Sequence, residues 1–426
     1  MSDQPSGINR RTFLTGTSVI GAAVALGSLT PAARAQSAST TAGKPALKFN
    51  SDGKFKIIQF NDTQDDHLTD RRTIEFMEKA LDQEKPDFAL INGDVITSGP
   101  RNNQQVFQAL NNVVLPMENR SIPWAVTFGN HDEDSTDDGT TTAYEPVMLD
   151  FLRQYKFNMN APATDVYGES NTNLVVAGST TSDAAFAIWM LDSGRYVEDT
   201  INGQNREEIP GYDYLRPDQI RWYEEQSQAL EARYGRKIPG LMYFHIPLYE
   251  HRDMWFGGPY NNSEADHAKA VETHGIVGVK HEGVYVGAFN SGMYAAVLQR
   301  GDVKGIFCGH DHINTYVGNY FGVELGYGPG TGFGPYGLND GTWDQHTLRG
   351  ARVFELNENT ERVYESTRIV WARELGIDMN PAAQKISEPL PLPDYVNGVE
   401  PAPAPDDTAG SAQLSSGLSS NFSSSF

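Results

Sequence analysis

The sequence predicts an α/β sandwich, with sheets packed inside flanking helices. Two observations predict it. Short apolar runs alternate with stretches whose apolar positions recur every three or four residues, the order that builds layered α/β domains. Five of those runs end in clusters of Asp, Asn, Gln, Gly and His, and in open α/β sheets ligands bind at the carboxyl ends of strands.

Each element has its own warrant. Residues 55–60, FKIIQF, alternate as a half-buried strand does. Ile74, Met77 and Leu81 then share one helical face, with Thr69 or Asp70 placed to cap it. FALI at 88–91 reads as a second, buried strand. Val106, Leu110, Val113 and Val114 mark the next helix, and 124–128 the third strand. Strands follow at 173–177 and 185–191. Pro217 suits the first position of a helix carrying Ile220, Tyr223, Leu230 and Tyr234. Residues 241–244 and 303–307 are again strands, and β-rich sequence continues at 323–325, 351–356 and 362–370.

The ends are different in kind. Arg10-Arg11 precedes an apolar stretch, 18–29, and the small-residue run Ala33-Arg34-Ala35, which reads as a twin-arginine-type signal peptide over 1–35. The protein is therefore expected to be exported (periplasmic, secreted or wall-associated) with no stable membrane anchor after cleavage. Residues 36–46 read as a flexible lead, 47–375 as a single catalytic domain, and 389–426, rich in Pro and then Ser, as a disordered tail. The formal net charge is −22, and the excised segment is itself net positive, so the remainder is more acidic still. Phosphate backbones are held by Lys and Arg, so long nucleic acid is excluded as a partner. Cys308 is the only cysteine, so no internal disulfide forms, and in an apolar strand it is an inert thiol.

The five ligand-type clusters carry the chemistry. Asp62 and Gln64 follow the first strand and Gly93-Asp94 the second. Gly129-Asn130-His131-Asp132 follows the third, His245 ends 242–244, and Gly309-His310-Asp311-His312 follows 306–308. Singly, each is an ordinary turn or core residue; all five in this order are not. Asp65, Asp66 and His67 read as a solvated loop, with His67 a possible substitute ligand. His251, His267, His274 and His346 read as surface residues. His281, beside Glu282, and Asp192, in LDSG, can either face the site or serve turns. No GxSxG elbow is present.

The set DxQ, GD, GNHD, H and GHDH resembles the calcineurin-like metallophosphoesterase superfamily, with Gln64 where a histidine is usual. It is closest to the non-purple branch of purple-acid-phosphatase-like proteins, because Thr97 stands where the purple enzymes have their tyrosine ligand. Ile122-Pro123-Trp124, Tyr212-Asp213-Tyr214-Leu215 and the Gly- and Tyr-rich 327–337 extend the likeness. The resemblance implies a four-layer α/β/β/α metallophosphoesterase sandwich holding two metal ions, Mn, Fe, Zn or Co by the donor chemistry. Asp94 would bridge them, with Asp62, Gln64 and His312 at one ion and Asn130, His245 and His310 at the other. It further implies hydrolysis of small phosphate monoesters by a hydroxide held between the ions, His131 as general acid and Asp132 orienting it. Alternatives are a phosphodiesterase acting on small diesters and a catalytically weak surface binding protein on the same fold. Loops 133–144, 251–265 and 328–342 are expected to set substrate choice.

Overall fold

The computed structural model describes residues 43–137, 139–339, 341 and 344–398. The expected export signal and the tail beyond 398 lie outside the described residues.

Two twisted sheets carry the fold. The first contains β1 (Lys54–Phe60), β2 (Phe88–Asn92), β3 (Trp124–Thr127), β12 (Gly350–Asn357) and β13 (Tyr364–Trp371), in the order β13-β12-β1-β2-β3. Its β1, β2 and β3 run parallel, while β12 and β13 pair antiparallel. The second holds β4 (Thr172–Ala177), β5 (Ala184–Met190), β8 (Gly240–Tyr243), β9 (Val303–Cys308), β10 (Val317–Tyr320) and β11 (Val323–Tyr327), in the order β10-β11-β9-β8-β5-β4. There β5, β8, β9 and β11 are mutually parallel. A small hairpin, β6 (Thr200–Ile201) with β7 (Gln204–Asn205), stands apart.

Three apolar clusters define the layers. Phe55, Ile57, Phe88 and Leu90 of the first sheet meet Phe186, Ile188, Leu241 and Phe307 of the second in an inter-sheet core. The outer face of the first sheet packs on α1 (Arg71–Glu84), α2 (Asn103–Glu118) and α3 (Glu145–Leu152). The outer face of the second packs on α4 (Pro217–Tyr234), α5 (Tyr249–Phe256), α6 (Glu264–His274) and α7 (Met293–Arg300). The order is therefore α/β/β/α. Strands buried on both faces are continuously apolar, as FALI of β2 and AAFAIWM of β5 are. Helix limits follow local chemistry. The Asp70 side chain accepts from Arg72 N and caps α1, an interaction worth about 1 kcal/mol. Helix α4 opens on Pro217 and stops at Gly235, whose φ of 69° is left-handed.

The body is longer at both ends than expected. Lys44 Nζ donates to the carbonyls of Arg153 and Tyr155, so the end of the lead is held. The start of the tail is packed, not disordered. Leu390 and Leu392 lie against the α1–α2 core, Val396 is buried, and Asn111 Nδ2 donates to Leu390 O at 2.9 Å. Apolar residues interleave with the prolines there and find a groove over α2. The histidines read as surface residues are also corrected. His251, His274 and His346 are buried, and His267 stacks on Trp255 at 3.8 Å. A neutral imidazole with one hydrogen bond buries at little cost, and desolvation keeps His251 neutral by pushing its pKa down to about 4.

Candidate metal centre

The parallel strands deliver their carboxyl ends to one edge of the sandwich. The Asn92 carboxamide, at the end of β2, donates to Phe244 O at 3.0 Å and Phe307 O at 3.2 Å, tying the first sheet to the ends of β8 and β9. Loops leaving those ends turn sharply. Asp62, Gln64, Asp94 and His310 all have positive φ (49°, 34°, 48° and 72°), a left-handed geometry that costs on the order of 1 kcal/mol or more for a residue with a side chain. The turns are cross-braced: Asp62 N donates to Gly93 O and Gln64 N to Asp94 O at 2.9 Å. At Gly93 a Cβ would sit 2.3 Å from the His245 ring, and at Gly129 one would sit 2.4 Å from Asp94 Oδ1. Close approach, not only turning, requires both glycines.

The result is two groups of donor atoms that share one aspartate. Asp94, His245 and His310 offer ligand atoms within 4.8 Å of one another, and so do Asp62, Asp94 and His312. All five residues are buried. Six polar atoms at this place are buried with no partner outside it: Asp62 Oδ2, Gln64 Oε1, Asn130 Oδ1 and His310 Nε2, with Asp94 Oδ2 and His245 Nε2 facing only each other at 3.1 Å. Leaving one such atom unpaired costs about 1–3 kcal/mol, so six at one point imply a group that satisfies them together. The far sides of three candidate ligands are committed. His245 Nδ1 pairs with Asn92 O at 3.0 Å and His312 Nδ1 with Tyr336 O at 3.2 Å. Asn130 Nδ2 donates to Tyr196 OH at 2.8 Å, which turns its oxygen inward. Fixing the outer atom of each ligand is how metal sites orient the inner one. An oxygen-and-imidazole set of this kind fits two divalent or trivalent cations.

Electrostatics agree. Burial pushes His310 far down and His312 down to about 3, the latter helped by the Arg349 guanidinium, so both imidazoles are neutral and keep a lone pair. Burial opposes charge on His245 too, but the Asp94 carboxylate 3.1 Å away outweighs it and raises its pKa to about 10. That proton occupies the place of a cation, and cation binding displaces it.

A profile of the calcineurin-like phosphoesterase family matches residues 55–314, which spans every residue of this centre. The chain belongs to that family. Among similar proteins, "Probable inactive purple acid phosphatase 29" of Arabidopsis thaliana is 30% identical over 76% of this chain and 82% of its own length. "Probable inactive purple acid phosphatase 14" of the same plant is 29% identical over 69% and 75%. "Phosphatase DCR2" of Saccharomyces cerevisiae is 28% identical over 77% of this chain and 56% of its own length. This member of the calcineurin-like phosphoesterase family thus carries two candidate metal-ligand groups that share Asp94.

The other motif residues fall as follows. His131 N donates to Asp94 Oδ1 at 2.9 Å, and its half-exposed ring stands at the rim. Asp132 does not orient it. The Asp132 carboxylate turns inward and accepts from Gly129 N at 2.7 Å and Ile96 N at 3.0 Å, clamping the loop. The residue that holds His131 is Asp134, whose Oδ2 is 2.7 Å from His131 Nδ1. Sequence reasoning missed it because any of the three carboxylates of HDED lies near enough in the chain. It also missed Arg195, which donates to Asn130 O at 3.0 Å and pairs with Asp134 and Asp137. Asp65 is not solvated: it is buried, accepts from Asp70 N and pairs with Lys385. Asp66 is partly exposed and accepts from Leu68 N. Neither donor group includes His67. Asp192 closes a turn, accepting from Ser170 Oγ, Glu169 N and Gly194 N. Glu282 accepts from Ile313 N and from Tyr336 OH, and the Tyr336 ring stacks on His312 at 4.1 Å. The His281 backbone N–H bonds Asn314 Oδ1.

Proposed function

We propose that the protein hydrolyses small phosphate monoesters at this centre, with His131 as general acid. The observation that carries the reading is the sharing of Asp94 between two donor groups whose inward atoms lack partners outside the centre. Bound cations of the Mn, Fe, Zn or Co class supply charge neutralisation for the phosphoryl oxygens and acidify a water. Asp62, Gln64, Asp94 and His312 would hold one, and Asp94, Asn130, His245 and His310 the other. The chain's own part is positional. Asp134 takes His131 Nδ1, which leaves Nε2 to hydrogen-bond the ester oxygen and hand it a proton as the bond breaks. The His131 backbone N–H orients Asp94. The Arg10-Arg11 segment supports export of the enzyme; Arg10→Lys with Arg11→Lys would then retain it in the cytoplasm.

A second reading, a phosphate-ester binding protein with weak catalysis, is favoured by neutral Gln64 and by the word "inactive" in the names of two relatives. One experiment separates the readings. Chelated protein reloaded with Mn²⁺, Fe²⁺, Zn²⁺ or Co²⁺ is assayed on p-nitrophenyl phosphate and on its bis ester. Faster monoester turnover supports the proposal, and faster bis-ester turnover replaces it with a phosphodiesterase. Binding of two metal equivalents without turnover of either ester leaves the binding protein.

A further inference from the structure

Beyond β13 the chain returns to the loop that leaves β1. Residues 378–386 cross the start of α1 and are held there by one buried side chain. Arg72 pairs with Asp70 at 2.8 Å and donates to the carbonyls of Asp378, Asn380 and Ala382. The backbone adds a short antiparallel tie. Arg71 N donates to Gln384 O at 2.9 Å and Ile386 N to Thr69 O at 3.1 Å, while Gln384 N donates to Asp70 Oδ2 at 2.8 Å. These bonds fix where Lys385 stands. Its ammonium pairs with Asp65 Oδ1 and, at 3.3 Å, with Asp66 Oδ1.

Asp65 directly follows the candidate ligand Gln64. Its buried carboxylate accepts from Asp66 N at 2.8 Å and Asp70 N at 2.7 Å, and among the described residues Lys385 is the one cation paired with it. Gly334 closes another side: a Cβ there would sit 2.8 Å from the Asp65 carboxyl. Gln64 depends on this anchor more than its neighbours do. Its φ of 34° is left-handed, a strained form that persists only where the surroundings over-determine it. Its inward oxygen has no protein partner to hold it. Asp62 is braced separately, by Gly93 O, Gly332 N and His310 N. Asn130 and His245, of the other donor group, are held by Tyr196 and Asn92.

We propose that Lys385 is a positioning residue for one of the two ions, the one assigned to Asp62, Gln64, Asp94 and His312, and that it acts through Asp65. The inference rests on the two-ion assignment above and is independent of which ester is cleaved. With the ammonium in place, the turn at Gln64 is pinned and its oxygen faces the centre. Without it, Asp65 is a buried charge with no counterion, and the turn relaxes outward to hydrate it. Gln64 moves with its neighbour, and that ion loses one donor. The ion at Asn130, His245 and His310 keeps all of its own. A partner outside the ligand set thus governs one half of the centre, from a segment more than 300 residues further along the chain.

The test is metal release from the full chain loaded with Mn²⁺, followed in excess chelator and without any substrate. Lys385→Met is expected to release one of two equivalents about tenfold or more faster and to leave the other at the parent rate. Lys385→Arg, which restores the charge, is expected to return that equivalent toward the parent rate. Lys385→Gln serves at the same readout if Lys385→Met fails to fold. Glu84→Gln, which removes a carboxylate paired with Lys56 and Arg368 at the edge of the first sheet, is the control for lost stability alone and is expected to release both equivalents as the parent does. Unchanged release in the Lys385 variants, equal acceleration of both equivalents, or the same acceleration in Glu84→Gln overturns the positioning role and leaves the two-ion centre standing. A parent protein that binds no Mn²⁺ overturns both.

Discussion

His131 Nδ1 lies 2.7 Å from Asp134 Oδ2, and Asp134 is in turn held by Arg195. The pair fixes which imidazole nitrogen is left for substrate. Burial pulls the His131 pKa down, but the Asp134 hydrogen bond and the Asp94 charge outweigh it and raise it. An acid catalyst works while protonated, so activity falls as pH rises through that raised pKa. Asp134→Ala is therefore expected to move the alkaline limb of the kcat profile to lower pH. It should lower kcat by roughly 10–100-fold with metal content intact, a share of the general-acid effect. An unmoved limb would return the orienting role to some other group.

Asp94 is the shared ligand. Asp94→Ala is expected to lose both metal equivalents by mass spectrometry of desalted protein, whereas His131→Ala keeps them and loses turnover. Retention of two equivalents by Asp94→Ala would show that the donor groups do not share it.

Gln64 offers a neutral amide oxygen with no protein partner. Gln64→His supplies a stronger donor at that position. Slower release of one metal equivalent into excess chelator is expected. A release rate equal to that of the parent would mean that Gln64 does not reach an ion.

Asp132 is structural. Asp132→Ala strands the Ile96 and Gly129 N–H groups and is expected to cost about 2–4 kcal/mol in chemical unfolding. Unchanged stability would refute the clamp.

Glu84 sits buried at the edge of the first sheet among Lys56, Gln83 and Arg368. Burial alone would raise its carboxyl. The Arg368 hydrogen bonds and the others reverse this and depress it to about 2. A depressed acid stabilises the fold above its unfolded pKa, and that stability is lost as pH falls toward the folded value. Glu84→Gln should cost about 1–2 kcal/mol at pH 7, discounted because Arg368 is half exposed, and the difference should shrink by pH 3. A difference independent of pH would locate the effect in packing instead.

Strands β1, β2, β8 and β9 were legible because alternating or unbroken apolar runs stop at glycines and ligand-type residues, and burial of those runs dictates the sheet. Helices α3, α5, α6 and α7 were not. Helix α6 buries little more than Ala270 and His274, so its sequence carries almost no apolar stripe. The metal ligands were legible because a cation pair demands particular donors beside tight turns. Asp134 was not, nor were Tyr196, Tyr212 and Tyr336, which meet Asn130, His310 and His312, because their roles depend on how separate loops meet. Tyr196 and Tyr212 follow β5, and Tyr336 follows β11. The packed segment 389–398 was hidden by its prolines, which dominate composition but not contact.

His310 N reaches back to Asp62 Oδ1 across 248 positions of sequence, and both belong to the centre. During synthesis Asp62 must therefore wait for 248 further residues, more than half of the chain, before His310 can meet it. A cut that parts the segment carrying Asp62 from the one carrying His310 divides the donors, so enclosure of the ions reports that these two distant segments have met.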